Sequence, residues 1–337
     1  MIESTHTTEA HRPAVSVVLP TFRRVDMLER AIHTVMDQTL RDWELIVVDD
    51  NGAGHAAQRA ASAVIDRFGH DPRIVYVVHE QNRGGGAARN TGIARARAEL
   101  VAFLDDDDAW FPHKLALQVA CFERSAADVA LVYGGFQRVA HDGRRRIVQP
   151  DPAGSHVSVL LRRNAIGTTS LVMCKRHALE SIGGFDPGLR SRQDLDLFVR
   201  LAQRYAFAFV DEPLLDKYEH DALSIGKDQE GLADAHRRFY EKHRSAYESD
   251  PSAHHVVLHR YAEEVLRTGR AREARRLFFA SWRKDPRRLR TLAYALLSWR
   301  FALDAYRSAR RLLGLGRRSV APAPASSIDR ADGPRVD

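Results

Sequence analysis

Through its first 110 residues the chain alternates short apolar runs with helical patterns, and that alternation restricts it to few folds: βαβ units that build a mostly parallel sheet with helices on its faces. "VSVVLP" (15–20) is β-branched, apolar and of strand length, so it reads as a buried strand. Leu28, Ala31, Ile32, Val35 and Met36 follow at i, i+3, i+4, i+7 and i+8, the spacing of an amphipathic helix, with Asp26 near its start. "WELIVVDD" (43–50) predicts a second strand, "RIVYVV" (73–78) a third, "GGGAARNTGIARARA" (84–98) a glycine-led helix and "LVAFL" (100–104) a fourth strand. Two of these strands end in carboxylates, and ligands of open α/β sheets sit in the crevice outside the carboxyl ends of the strands.

Beyond residue 112 the pattern predicts a helix to about Arg124, a strand at 129–136, a polar excursion over 137–155 and a strand at 168–175. A turn-rich loop "GGFDPGLRS" (183–191), a helix at 193–205 and a strand "AFAFV" (206–210) follow, with a polar loop over 211–226 before a long charged helix. The domain edge is expected near 250. The tail to about 316 reads as all helical, and "GRAREARRLFFASWRKDP", with Ala274, Phe278 and Pro286 after Gly269, resembles one half of a tetratricopeptide hairpin. One copy does not make a repeat stack, so a packed helical extension is expected. Residues 1–13 and 317–337 are expected to be disordered, the latter being rich in Ala, Pro and Ser.

Charge is unevenly placed. Between Arg260 and Arg318 there are 17 Lys and Arg against 5 Asp and Glu, whereas the whole chain is only +7, so the body is net acidic and the basicity belongs to the tail. No nucleic-acid reading motif accompanies that basicity, which argues against a nucleic-acid partner. The helix "RFALDAYRSARRLL" (300–313) sets Arg300, Arg307, Arg310 and Arg311 on one arc and apolar residues on another, making an anionic membrane surface a candidate partner of the basic C-terminal helices. Two cysteines without ligand spacing, no apolar leader and no run long enough to span a bilayer point to a cytoplasmic protein, peripheral at most at the inner membrane face.

The tetrad Asp105–Asp108, in "LVAFLDDDDAWFP", poses the sharpest chemical question, because four adjacent like charges require compensation. Hard divalent cations take oxygen ligands, and one or two carboxylates plus substrate phosphates are the usual protein share for Mg²⁺. On an extended segment Asp105 and Asp107 would point the same way and could address one ion. Trp110 and Phe111 could wall a sugar ring, although aromatics after a strand more often serve the core.

"VSVVLPTFRR", "VDDN", "NRGGGAARNTGI", "FLDDDDAWFP", "GGFD" and "RQDLDLFVRL" together resemble glycosyltransferase family 2, in order and approximate spacing, over residues 14–226. The resemblance implies a GT-A fold (α/β, Rossmann-like, with a mostly parallel central sheet) at 14–250 and an all-helical C-terminal extension at 251–316. It implies an inverting transferase that takes a sugar from a nucleoside-diphosphate donor, a UDP-sugar, with Mn²⁺ or Mg²⁺. By the same resemblance Pro20, Thr21 and Asp49, with Asp50 beside it, would hold the nucleobase and ribose. Arg89 would approach the donor, Asp106 the ribose, and Asp107 with Asp105 the metal. "YEHDALS" resembles a family pattern whose histidine approaches the metal or diphosphate, which brings in His220. The family's Glu-Asp dipeptide at a helix start becomes Gln193-Asp194 here, with Asp194 as the base that deprotonates an acceptor hydroxyl of a glycan or glycolipid. Expected rivals are a nucleotidyltransferase, which "PTFRRVD" serves with Arg23 and Arg24 but without a Gly-x-Gly signature, and a non-catalytic scaffold with a degenerate front domain.

Overall fold

The fold is that of a computed structural model, which describes residues 11–219 and 228–298. The expected helix at 300–313, His220, the 317–337 tail and residues 1–10 lie outside the described residues. β1 (Val15–Thr21), α1 (Val25–Met36), β2 (Trp43–Asp49), α2 (Ala56–Asp66), β3 (Ile74–Val78), α3 (Gly85–Arg95) and β4 (Leu100–Phe103) reproduce the βαβ alternation read from the sequence. Then come β5 (Asp108–Trp110), α4 (Lys114–Arg124), β6 (Val129–Val139), β7 (Arg145–Val148), α5 (Val157–Arg162), β8 (Met173–Lys175), α6 (Arg176–Ser181), α7 (Gln193–Ala202) and β9 (Ala206–Tyr218). Helices α8 (Gln229–Lys242), α9 (Arg244–Glu248), α10 (Pro251–Arg267), α11 (Ala271–Lys284) and α12 (Leu289–Leu297) complete the described chain.

One sheet carries the strand order β3-β2-β1-β4-β8-β6-β9-β5, with β7 on β6. β1 pairs in parallel with both β2 and β4, so the chain reverses its direction of growth between β1 and β4 and opens a crevice at their carboxyl ends. The parallel pairing expected for most of the sheet holds from β3 to β4 and again between β6 and β9. Past β4 the sheet is mixed, because β8 runs antiparallel to both β4 and β6, and β5 antiparallel to β9. Three expectations need correction here. The strand expected at 168–175 is reduced to β8, because a 3-10 turn at Thr169–Leu171 precedes it. The strand expected at 206–210 runs on to Tyr218, so 211–218 is strand and not loop. The polar excursion contains β7, an exposed arginine-bearing edge strand.

Alternation along the central strands feeds both faces. Val18, Ile46, Val48, Val101 and Phe103 join one core with α3, α5, α7 and Phe239 of α8, while Val15, Val17, Leu19, Leu45 and Val47 join the other with Leu28, Ile32 and Val35 of α1. At about 1.5–3 kcal/mol for each buried aliphatic side chain, this packing outweighs the weak intrinsic propensity of a 12-residue helix such as α1. The first core continues through Tyr247 into Ala253, Val257 and Leu258 of α10, on both sides of residue 250. Gly269, at φ +84, separates α10 from α11, and Ala274 and Phe278 are buried in the helical cluster as the hairpin spacing implied. The two cysteines are buried and free.

α3 lies unusually close to the sheet at Gly92, where an added Cβ would stand 2.2 Å from Val18 Cγ1. We expect Gly92→Ala to lower unfolding free energy by about 1–3 kcal/mol through overpacking, read as a shifted urea midpoint at unchanged slope; an unchanged midpoint would contradict this close approach.

Candidate active site

The site forms at the carboxyl ends of β1, β2 and β4, and each residue of "VDDN" fastens a different piece of it. Asp49 is fully buried, accepts from Asn51 N–H and Nδ2–H at 2.8 Å each, and accepts the Tyr76 hydroxyl. That phenol is pushed up, first by burial and then by Asp49. Asn51 Oδ1 in turn accepts Arg23 N–H at 2.8 Å, holding Arg23 in the left-handed region at φ +57 and so aiming the next residue, Arg24, across the crevice. Asp50 accepts from His79, Asn82, Arg83 N–H and Gly84 N–H, which ties the glycine-rich loop down and sets the start of α3. Pro20 and Thr21 close β1 opposite Val48 and Asp49.

The aspartate tetrad is a turn and not the extended segment the sequence suggested: Asp108 N–H donates to Asp105 C=O at 3.1 Å, linking β4 to β5. The turn separates the four side chains. Asp106 points back to β1, accepting Thr21 Oγ1–H at 2.9 Å and Arg24 Nη1–H at 3.2 Å, and burial pushes its carboxyl up to about 6. Asp105, Asp107 and Asp108 converge instead, with one ligand oxygen from each within 4.8 Å of the others. Asp105 is paired with Arg89 and accepts from Thr169 Oγ1 at 3.1 Å. Burial opposes its charge, but the guanidinium prevails and holds the carboxyl below the ordinary range. Asp107 takes Arg24 at 2.6 Å. Asp108 is 2 % exposed, its Oδ2 has no hydrogen-bond partner, and burial, resisted by Lys217, pushes the group up to about 7. An all-carboxylate oxygen set containing a buried, unpartnered oxygen fits a hard divalent cation.

Asp194 stands in the first turn of α7, where the helix dipole favours a carboxylate. Its Oδ2 accepts Asn164 Nδ2–H at 2.8 Å, while Asn164 Oδ1 accepts the N–H groups of Ile166 and Gly167, which fixes the carboxamide with its NH₂ toward Asp194. Burial raises the Asp194 pKa, with Arg89 opposing and Asp105 adding to the rise. Gln193 reaches Arg89 Nη1 at 3.4 Å and donates to Leu189 C=O, joining the glycine-rich helix to the "GGFD" loop. Arg192, the N-cap, is left-handed at φ +63. A cleft of about 250 Å³ is lined by Arg89, Asp105, Thr168, Thr169, Gln193, Asp194 and Lys217, so Asp105 of the tetrad and Asp194 line one space.

Of the residues expected from sequence, Thr21, Asp49, Arg89, Asp105, Asp106, Asp107 and Asp194 thus come together around this crevice. Trp110 is not a sugar wall: it is 3 % exposed, with its indole N–H on Ser170 C=O. Arg24, Asp108, Asn164, Thr169 and Lys217 were not singled out as site residues. Asp108 was legible in the tetrad itself, and Arg24 in the pair after β1, but Lys217 was hidden in a segment read as loop.

Residues 16–183 match the family model for glycosyl transferase family 2. A Bacillus subtilis protein named as a teichuronic acid biosynthesis glycosyltransferase is 31 % identical over 222 residues, spanning 64 % of this chain and 83 % of that one. Two solved structures share the fold: a Pyrobaculum calidifontis mannosyltransferase in complex with GDP-Man and Mn²⁺ (TM-score 0.55, 18 % identity, 91 % of this chain and 82 % of that one); and S. aureus TarS 1–349 in complex with UDP-GlcNAc (TM-score 0.53, 14 % identity, 88 % and 92 %). The fold is GT-A with a helical C-terminal region, and the chain belongs to glycosyltransferase family 2.

Proposed function

We propose that this glycosyltransferase transfers a sugar, with inversion, from a UDP-sugar to a hydroxyl of a glycan or glycolipid during assembly of a cell-surface polysaccharide. One observation carries the reading: the Asp105 side of the carboxylate cluster and the Asp194 carboxylate line the same cleft. The role of the B. subtilis relative supports the polysaccharide setting, and the TarS complex supports UDP as the nucleotide.

In this reading Asp49, with Pro20 and Thr21, borders the nucleoside, and Asp106 closes the ribose end. Asp105, Asp107 and Asp108 would hold Mn²⁺ or Mg²⁺, with His220 an additional candidate ligand. When bound, the ion supplies neutralisation of the charge that develops on the departing diphosphate. Arg89 and Lys217 add positive charge on the same side of the cleft. Asp194, held by Asn164 and by its own helix start, takes the proton of the acceptor oxygen as it attacks the anomeric carbon from the face opposite the diphosphate. Its raised pKa, caused first by burial, makes the ionised form a stronger base than an exposed aspartate.

The helical region supports a peripheral membrane location. A cleft of about 530 Å³ is lined by Arg287, Arg288 and Arg290 at the start of α12, and Leu289, Leu296 and Leu297 of the same helix are 69 %, 56 % and 48 % exposed. Arginines beside exposed leucines suit phosphate headgroups over an acyl boundary. Among the described residues no helix is long and apolar enough to cross a membrane.

Three outcomes are expected. Slow, Mn²⁺-dependent release of free sugar from UDP-sugars should vanish in Asp107→Ala; retention of that release would remove the cluster from the chemistry. Asp194→Asn should lower transfer by about 10²–10⁴-fold with donor affinity kept, and the wild-type kcat/KM should fall on acidification along a limb above about 4, the ordinary Asp value. That limb reflects loss of the ionised base as pH drops through the raised pKa, and a limb unchanged in the residual activity of Asp194→Asn would assign it elsewhere. Third, the protein should co-sediment with vesicles of anionic lipid at low salt, and Leu296→Ser/Leu297→Ser should weaken this; equal binding to neutral vesicles would exclude a headgroup contribution.

A further inference from the structure

We propose that Arg24 is a positioning residue that couples cation binding to donor binding: its guanidinium neutralises the aspartate cluster and yields it when a diphosphate offers replacement charge. This deepens the function proposed above and rests on the reading of Asp105, Asp107 and Asp108 as a cation site.

Arg24 stands at the N-cap of α1, immediately after the left-handed Arg23. Its Nη1 lies 2.6 Å from Asp107 Oδ2 and 3.2 Å from Asp106 Oδ1, so one nitrogen bridges the two central carboxylates of the tetrad. Arg30 supports the same turn by donating to the Asp107 carbonyl at 2.9 Å. Asp107 is thereby committed to a guanidinium, whereas its neighbour Asp108 keeps a buried oxygen without a hydrogen-bond partner in the same cluster. The cluster can therefore receive an ion first through the free oxygen of Asp108, while the Arg24-bound Oδ2 of Asp107 becomes available only if Arg24 withdraws.

Charge balance gives the direction of the effect. With every group ionised, Asp105–Asp108 and Asp194 carry five negative charges against the four positive charges of Arg24, Arg30, Arg89 and Lys217, so the site is close to neutral. A divalent cation added alone leaves an excess of positive charge in a partly desolvated crevice, where it is poorly screened. A diphosphate arriving with it restores the balance and gives the displaced guanidinium an anionic partner of matching geometry. Arg24 is 26 % exposed at its side chain, so it has room to reorient toward the crevice. Cation and nucleotide then bind with positive coupling, each raising the affinity of the other by the same factor.

The test is Mn²⁺ titration of the full chain, followed by the electron paramagnetic resonance signal of free Mn²⁺, with and without UDP, each series corrected by a protein-free titration at the same UDP concentration. In the wild type UDP should tighten Mn²⁺ binding by about tenfold or more. Arg24→Gln should bind Mn²⁺ about tenfold more tightly than wild type when UDP is absent, and the enhancement by UDP should shrink. Arg24→Lys keeps the charge and should restore weak binding alone with strong enhancement by UDP. Unchanged or weaker Mn²⁺ binding by Arg24→Gln without UDP overturns the proposal, as does Arg24→Lys behaving like Arg24→Gln. If wild type binds Mn²⁺, Asp107→Asn does not, and Arg24→Gln matches wild type, the cation reading stands and the coupling alone fails. If neither wild type nor Arg24→Gln binds Mn²⁺ even with UDP, both fall together.

Discussion

Four carboxylates confined to one turn are the electrostatic constraint around which the front of this molecule is arranged. Asp105 to Asp108 run from the turn after β4 into the first residue of β5, and their repulsion is met from three separate elements: Arg24 from the start of α1, Arg89 from α3 and Lys217 from β9. None of these cations is near the tetrad in sequence. Tertiary folding brings them together, and leaving any of the buried carboxylates without its partner would expose the site to an uncompensated charge. The same turn sends Asp106 toward β1 and gathers ligand oxygens of Asp105, Asp107 and Asp108, with Asp105 lining the cleft that Asp194 also lines.

The loops that carry those cations are themselves held by buried polar contacts of β2. Asp49 fixes Asn51, Asn51 fixes the backbone of Arg23, and Arg24 follows; Asp50 fixes the loop from His79 to Gly84, and Arg89 follows on α3. Gln193 completes the circuit by meeting Arg89 from the Asp194 side. A glutamate at that position would compete with Asp105 for the guanidinium. With the neutral amide, the charge of Arg89 is left to the tetrad, which is one physical consequence of the departure from the family's Glu-Asp dipeptide.

Much of this was legible because period and motif agreed. The β1 to β4 alternation, the carboxylates at strand ends and the amphipathic stripe of α1 all follow from local pattern, and Thr21, Asp49, Arg89, Asp105 and Asp194 were placed by linked motifs. The remainder depended on partners. Local pattern alone ends β9 early, because Pro213 and the acidic pair Asp211-Glu212 interrupt its apolar run; the strand continues through register shifts against Gly134 and Gly135, where added Cβ atoms would strike Leu214 and the Val148 carbonyl. Losing that stretch also lost Lys217. Local pattern leaves the tetrad extended, because nothing near it in sequence announces that Asp108 begins a strand paired with Lys217. Asn164 carried no signal at all, since its role follows from a carboxamide oriented by two backbone N–H groups and seen only once α7 is in place.

The segment bearing Asn164 is gripped from the C-terminal helices: Tyr247 donates its hydroxyl to Leu161 C=O, Arg162 pairs with Asp250, and Arg260 donates to Arg162 C=O. With Ala253, Val257 and Leu258 sharing the core of the sheet, the helices buttress the segment whose Asn164 holds the Asp194 carboxylate. Chimeras that exchange the C-terminal helices between relatives would therefore need to keep α10 with the sheet, and, with the seam at the Gly269 turn, to preserve the contacts that Leu277 and Ala280 of α11 make with the same core.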